Sequence, residues 1–323
     1  MRMVMIILLM LVSLIALLWA ANNLVTGASG IAAHYRLSPL LVGFTLVALG
    51  TSAPEIMIAI TASIEGAPDI TIGDAIGTNI ANIGLVLGLT ALIKPLRVQS
   101  TLLRREYPLL FLVMLFSYSL MLDGYLGVLD GCLLLLMCLG LLGYFIFLTR
   151  QQRPQRQQTL AFQHAVLAKR SLKIHVIHLL IGLIVLPISA RYLVNSSITL
   201  GHMLGVSDLI MGLTILSIGT CLPELMTSVV AVLKDADDIA IGNILGANMF
   251  NLLAVIIFPS IIHPAVISTT LLWRDIPVMF ITTFVLLWIN YRNKQKMARW
   301  HGGILVLIYI CYMCSLIINA AMK

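Results

Sequence analysis

Apolar residues in this chain come in long blocks, with neither the alternation of strands nor the one-sided stripe of soluble helices. Ten blocks are each near the length a helix needs to cross ~30 Å of hydrocarbon. They fall at about 4–21, 38–62, 70–93, 107–122, 126–148, 174–194, 207–232, 239–262, 276–291 and 302–320. In lipid the backbone must satisfy its own hydrogen bonds, so such blocks predict helices. A transmembrane β-barrel would instead alternate over short strands. The expected fold is therefore an all-α polytopic membrane protein.

The blocks repeat. A shift of 169 residues lays GFTLVALGTSAPEIM (Gly43 to Met57) on GLTILSIGTCLPELM (Gly212 to Met226). Without a gap it then lays DITIGDAIGTNIAN (Asp69 to Asn82) on DIAIGNILGANMFN (Asp238 to Asn251). The same register holds at Arg105-Glu106-Tyr107-Pro108 and Arg274-Asp275-Ile276-Pro277. The chain thus divides into a first five-helix repeat (1–150, motif 43–90), a linker (151–173) and a second repeat (174–323, motif 212–259). An odd number of spans per copy makes the second copy enter the membrane inverted, giving ten transmembrane helices as two inverted repeats. Residues 2–20 resemble a secretory leader. Their counterpart near 175–189 is internal, so they are expected to be a span.

Composition agrees and adds an orientation. Hydrophobic residues make up 60% of the 323 residues and charged residues 10%, too few to cover a soluble domain. The net charge of +7 sits in the loops rather than on a nucleic-acid-binding surface. With the N-terminus outside, 16 of the 20 Lys and Arg fall in inner loops; Arg2, Arg191, Arg274 and Lys323 fall outside. The positive-inside rule therefore puts both termini outside and the 151–173 linker in the cytoplasm. The expected location is the plasma membrane, the inner membrane of a bacterium, with lipid as the surrounding partner and no obligate protein partner evident. The five cysteines, Cys132, Cys138, Cys221, Cys311 and Cys314, lie in apolar blocks and read as small core residues.

A charge at the centre of a span costs about 2.5–3.5 kcal/mol, so each needs a reason. Glu55 and Glu224 are the repeat-related acidic pair, both in Gly-Thr-x-x-Pro-Glu near the middle of a block, with no Lys or Arg in the motif spans to pair with them. Pro54 and Pro223 deprive the carbonyls of Gly50 and Gly219 of their helical donors. Broken helices that line a cavity offer such carbonyls to ions. Thr51 and Thr220 add hydroxyls, completing an all-oxygen set suited to a hard cation such as Ca2+, which takes 6–8 oxygens. Asp74, Thr78 and Asn82 share one face of the next helix, with Asn243, Ala247 and Asn251 as counterparts. Gly73-x-x-x-Gly77 and Gly242-x-x-x-Gly246 are spaced for close packing. Asp69 and Asp238 read as N-caps.

The doubled motif resembles the two α-repeats of the sodium/calcium exchanger family, within the cation:calcium antiporter superfamily. The resemblance implies ten helices, a central calcium site flanked by sodium sites, and alternating access by sliding of the first helix of each half. It implies that Glu55, Glu224, Thr51 and Thr220 bind calcium, assisted by the Ala48 and Ser217 carbonyls. Ser52, Thr78 and Asn82, with their counterparts including Asn251, would line the monovalent sites. Cys221, Ala247 and Asn251 depart from the pattern, standing where the second repeat often has serine, serine and aspartate, which puts three-sodium coupling in question. Asp74 stands where asparagine is common and either compensates or faces a polar cleft.

The expected function is exchange of Ca2+ for Na+ or H+, with those ions as cargo and no cofactor. A cation channel or uniporter with the same oxygens is the alternative. No nucleophile–base pair or zinc motif in the spans suggests an enzyme.

Overall fold

The computed structural model describes residues 2–35, 37–98, 105–151, 171–204, 217–292 and 296–321. Most of the 151–173 linker, the beginning of the 207–232 block and Lys323 lie outside the described residues.

The chain is helical. In order come α1 (Arg2–Tyr35), α2 (Pro39–Thr51), α3 (Ala53–Ile64), α4 (Pro68–Ile93), α5 (Glu106–Met121) and α6 (Val128–Gln151). Then follow α7 (Leu172–Met203), α8 (Ser217–Thr220), α9 (Leu222–Leu233), α10 (Asp237–Ile262), α11 (Leu271–Arg292) and α12 (Arg299–Ala321). Seven of these are long and apolar enough to cross a membrane, or eight if α2 and α3, bent by 42° at Ser52, count as one span. The apolar helices α5 and α9 are shorter.

The two motif helices, α4 and α10, are the most enclosed, while α1 presents most of its outer face to the surroundings. Large apolar side chains such as Leu8, Val12, Ile15 and Trp19 are exposed there, as a lipid-facing helix requires. Cys138 and Cys221 are buried, but Cys132, Cys311 and Cys314 are exposed on apolar helices, so the core reading holds for only two of the five. Asp69 and Asp238 are not N-caps. Ala67 and Ala236 hold those positions, and the two aspartates lie in the first turns of α4 and α10, where the helix dipole favours a carboxylate.

Two helices outrun their hydropathy. α1 continues to Tyr35 rather than ending near residue 21, and α7 continues to Met203 rather than near 194. Polar residues in these extensions bond back to the helix's own carbonyls, Thr26 to Asn22, Ser196 to Tyr192, Ser197 to Leu193 and Thr199 to Asn195. They lower the hydropathy without breaking the ladder. The extended part of α1 packs on α7: Leu24, Gly27 and Gly30 meet Gly182, Leu179 and His175 in that order, so the two helices run antiparallel. Asn23 Oδ1 lies 2.6 Å from His178 Nδ1 across the same seam.

Two short antiparallel ladders mark the two ends of the bundle. Leu96–Arg97 pairs with Lys296–Met297, and Tyr125–Leu126 with Ala265–Val266. The first end also holds Lys94 against Asp235 and the Arg97 amide on Asp237, gathering three loops that the charge bias puts on one side. At the other end the Ile267 amide donates to the Gly124 carbonyl. Leu96 and Ala265 are 169 residues apart and Tyr125 and Lys296 are 171 apart, so each copy contributes one strand to each ladder at positions that match to within two residues.

Candidate ion-binding site

The site forms where both copies break their helices at the same step. Ser52, between α2 and α3, has φ −82° and ψ 7°; Cys221, between α8 and α9, has φ −83° and ψ −1°. Each is followed by a proline in the first turn of the next helix, and then by the glutamate. Glu55 and Glu224 therefore begin α3 and α9, where free N–H groups and the helix dipole favour negative charge.

Both glutamates are fully buried, and neither has a hydrogen-bond partner for either carboxylate oxygen among the described residues. Glu55, Glu224 and Asp74 lie within electrostatic range of one another, and the Thr51 hydroxyl lies beside Glu224. The buried Cys221 senses all three carboxylates. The structure thus brings the expected acidic residues of both copies into one region. No three His, Cys, Asp or Glu side chains converge as a metal cluster among the described residues. Neutral oxygens beside the carboxylates would complete the shell of a hard cation held here.

Several of those are in place. Thr51 Oγ1 is shared between Asn243 Oδ1 (3.0 Å) and the Ala48 carbonyl (3.2 Å), linking α2 to α10. The Ala48 carbonyl also accepts the Ser52 amide at 3.0 Å, so its two lone pairs are engaged in this conformation. Ser52 is fully buried and its hydroxyl has no partner among the described residues. Thr78 is buried one turn after Asp74, whose Oδ2 is buried without a hydrogen-bond partner among the described residues. Thr220 is half-buried, 4.0 Å from Cys221 Sγ. Ser217 opens α8, and Ala247 is buried and brings no side-chain oxygen.

Close helix contact, expected from the glycine spacing, occurs in the second copy. A Cβ at Gly242 would stand 2.5 Å from the Leu40 carbonyl, and one at Gly246 2.7 Å from the Phe44 carbonyl. α2 therefore lies with its backbone against α10. Nothing among the described residues comes within 4 Å of a Cβ at Gly73 or Gly77.

The largest addition to the expected residues is Asn79 and Asn248. They are 169 residues apart and lie where α4 crosses α10. Asn79 Nδ2 donates to the Asn248 carbonyl at 3.0 Å, and Asn248 Nδ2 to the Asn79 carbonyl at 3.2 Å. Asn82 Nδ2 donates to Asn248 Oδ1 at 3.0 Å, and Asn251 Nδ2 to Asn79 Oδ1 at 3.1 Å. All four side chains are buried, and every bond has its repeat-related mate. At Asn82 and Asn251 each helix also opens into a π-turn, Asn82–Leu87 and Asn251–Val255, a local widening common at functional sites. The identity of Asn79 and Asn248 under the 169-residue shift was the available signal. Their position off the face of Asp74, Thr78 and Asn82 kept them out of the expected site.

The sequence of the sodium/calcium exchanger protein family matches the chain over residues 5–150 and 174–318, stretches whose first residues are also 169 apart. The chain belongs to that family. CaxA of Alkalimonas amylolytica is 40% identical over 304 residues, spanning 94% of this chain and 95% of CaxA. The inner membrane protein YrbG of Escherichia coli is 36% identical, over 95% of each chain. The sodium/calcium exchanger MaX1 of Methanosarcina acetivorans is 28% identical over 96% of this chain and 97% of its own. Among solved structures, the sodium-calcium exchanger NCX_Mj soaked with 2.5 mM Na+ and 10 mM Sr2+ superposes with a TM-score of 0.83 at 28% identity, covering 97% of this chain and 99% of that one.

Proposed function

We propose that the chain is an antiporter that moves Ca2+ against Na+ or H+ by alternating access. The observation that carries this is the pair of buried, repeat-related glutamates whose four oxygens have no protein partner among the described residues. Two uncompensated carboxylates in an enclosed site are costly, so a cation must neutralise them before the bundle closes around them. One Ca2+ or two monovalent cations meet that condition, and an empty site does not. A carrier that crosses loaded with either cargo, and rarely empty, is an exchanger. Family membership and the names of MaX1 and NCX_Mj support the same reading.

In this reading Ca2+ is held by Glu55 and Glu224 with Thr51 and Thr220, and by the Ala48 and Ser217 carbonyls once these are released from the helix. Ser52, Thr78, Asn82 and Asn251 flank it as ligands for the monovalent ion, with Asp74 at the edge of the site. Ten spans arise when α2–α3 and α8–α9 each cross as one broken helix and α5 crosses as a short one. Residues 1–150 and 174–323 are then inverted copies joined by the 151–173 linker. The matching breaks, the exchanged ladders and the antiparallel α1 and α7 support this arrangement. The charge bias supports outward termini and a cytoplasmic linker, and the likeness to YrbG, an inner membrane protein by name, agrees with an inner-membrane location. A channel is less well supported, because inverted repeats around two midplane breaks suit alternating access.

Glu55→Gln and Glu224→Gln test the assignment. Each is expected to lower calcium exchange by at least about a hundredfold in reconstituted protein, while the purified variants stay monodisperse. Near-normal exchange by either variant would remove that glutamate from the site.

A further inference from the structure

The orientation of the asparagine tetrad is forced from the backbone outward. The Asn248 and Asn79 main-chain carbonyls can only accept, so the NH2 groups of Asn79 and Asn248 must face them. Each Oδ1 then points the other way, where it receives Nδ2 of Asn251 or of Asn82. With their NH2 groups committed to donating, Asn82 and Asn251 turn their own Oδ1 atoms away from the tetrad. Both Oδ1 atoms are fully buried and have no partner among the described residues. The π-turn beginning at Asn82 packs on α9, which carries Glu224, and that beginning at Asn251 packs on α3, which carries Glu55.

We infer that Asn79 and Asn248 are positioning residues that hold Asn251 and Asn82 as one-way oxygen donors to the monovalent cation, an inference that rests on the antiport reading above. The tetrad needs an N–H at positions 82 and 251. An ionised aspartate at 251 would set oxygen against Asn79 Oδ1 at about the 3.1 Å now spanned by a hydrogen bond. Asn251 is therefore a ligand of a different charge rather than a missing one, and the tetrad keeps this part of the site neutral.

The test uses the purified full chain in two assays: the melting-temperature rise produced by NaCl or CaCl2, and sodium-driven calcium flux after reconstitution. The variants are Asn79→Leu, Asn251→Leu and the double variant, with Asn248→Leu, Asn82→Leu and their double variant as the symmetric set. Asn79→Leu is expected to raise the half-saturating Na+ concentration at least about tenfold and to leave that for Ca2+ within about threefold. In the Asn251→Leu background it is expected to add less than about twofold, because it acts through Asn251. A purely structural residue would weaken both ions alike and would do so in either background. That pattern overturns the inference, as does an Asn79→Leu protein with unchanged sodium response, or a parent protein whose melting responds to no Na+. If Asn79→Leu does not fold, the Asn248 and Asn82 set decides by the same criteria. Binding that follows the expected pattern in a protein without coupled flux would refute the antiport reading and leave the positioning role standing.

Discussion

The charge enclosed by the site predicts how transport responds to voltage. Glu55 and Glu224 supply two fully buried negative charges, Asn251 is a neutral amide bonded to Asn79, and Asp74 is half-buried at the edge of the site. Two fixed charges match one Ca2+ in one direction and two monovalent cations in the other, so no net charge crosses per cycle. Moving one charge through 100 mV is worth about 2.3 kcal/mol, or roughly a fiftyfold change in a concentration ratio. A cycle carrying a third cation would shift the limiting calcium gradient by that factor for each 100 mV. A balanced cycle would not shift it. The assay is reconstituted protein in vesicles clamped with K+ and valinomycin, with internal calcium followed by an indicator and current recorded on a supported membrane. The expectation is a calcium gradient that changes less than about threefold over 100 mV and no sustained current. A robust inward positive current during calcium extrusion would refute the charge count and show that a third cation binds beyond the two charges of the glutamates.

Two further outcomes follow from packing. Gly242→Ala places a Cβ 2.5 Å from the Leu40 carbonyl, a backbone atom, so overpacking there is expected to lower stability by about 1–3 kcal/mol, measured as a fall in melting temperature; an unchanged melt would show that α2 is free to shift. Lys234 Nζ donates to Thr26 Oγ1 (2.6 Å) and to the Asn22 carbonyl (3.2 Å), fastening α9 to α1. The repeat mates of these residues are Glu65, Asn195 and Arg191, and under the proposed alternating access between inverted copies Glu65 is expected to meet Arg191 in the opposite state. Cysteines at Glu65 and Arg191, in a background without the native five, should then cross-link during turnover and stop exchange; absence of cross-linking under turnover would contradict the swap.

The broken helices were legible because their cause is local: a glycine and a proline four residues apart interrupt one ladder, and the same spelling occurs twice. The glutamates followed from the cost of charge in lipid. The ends of α1 and α7 were not legible, because Asn23 and Thr26 lower hydropathy while donating to carbonyls of their own helix. Cys311 and Cys314 were assigned to the core because a small apolar residue reads alike against protein and against lipid. The tetrad depends on where α4 crosses α10, a relation between residues 169 apart that no helical period encodes. A face drawn through Asp74, Thr78 and Asn82 passes beside Asn79. The π-turns at Asn82 and Asn251 likewise have no marker in the sequence other than their recurrence.

The central claim is that calcium moves only in exchange for another cation through Glu55 and Glu224. It is tested most directly by radioactive calcium uptake into vesicles containing the purified protein, with outward gradients of Na+, H+ or K+ imposed one at a time. The account predicts rapid uptake when the trans compartment holds Na+ or H+, little without it, and none above the protein-free background for Glu55→Gln. Uptake of equal rate with no counter-cation on the trans side, or uptake that survives Glu55→Gln, would contradict it.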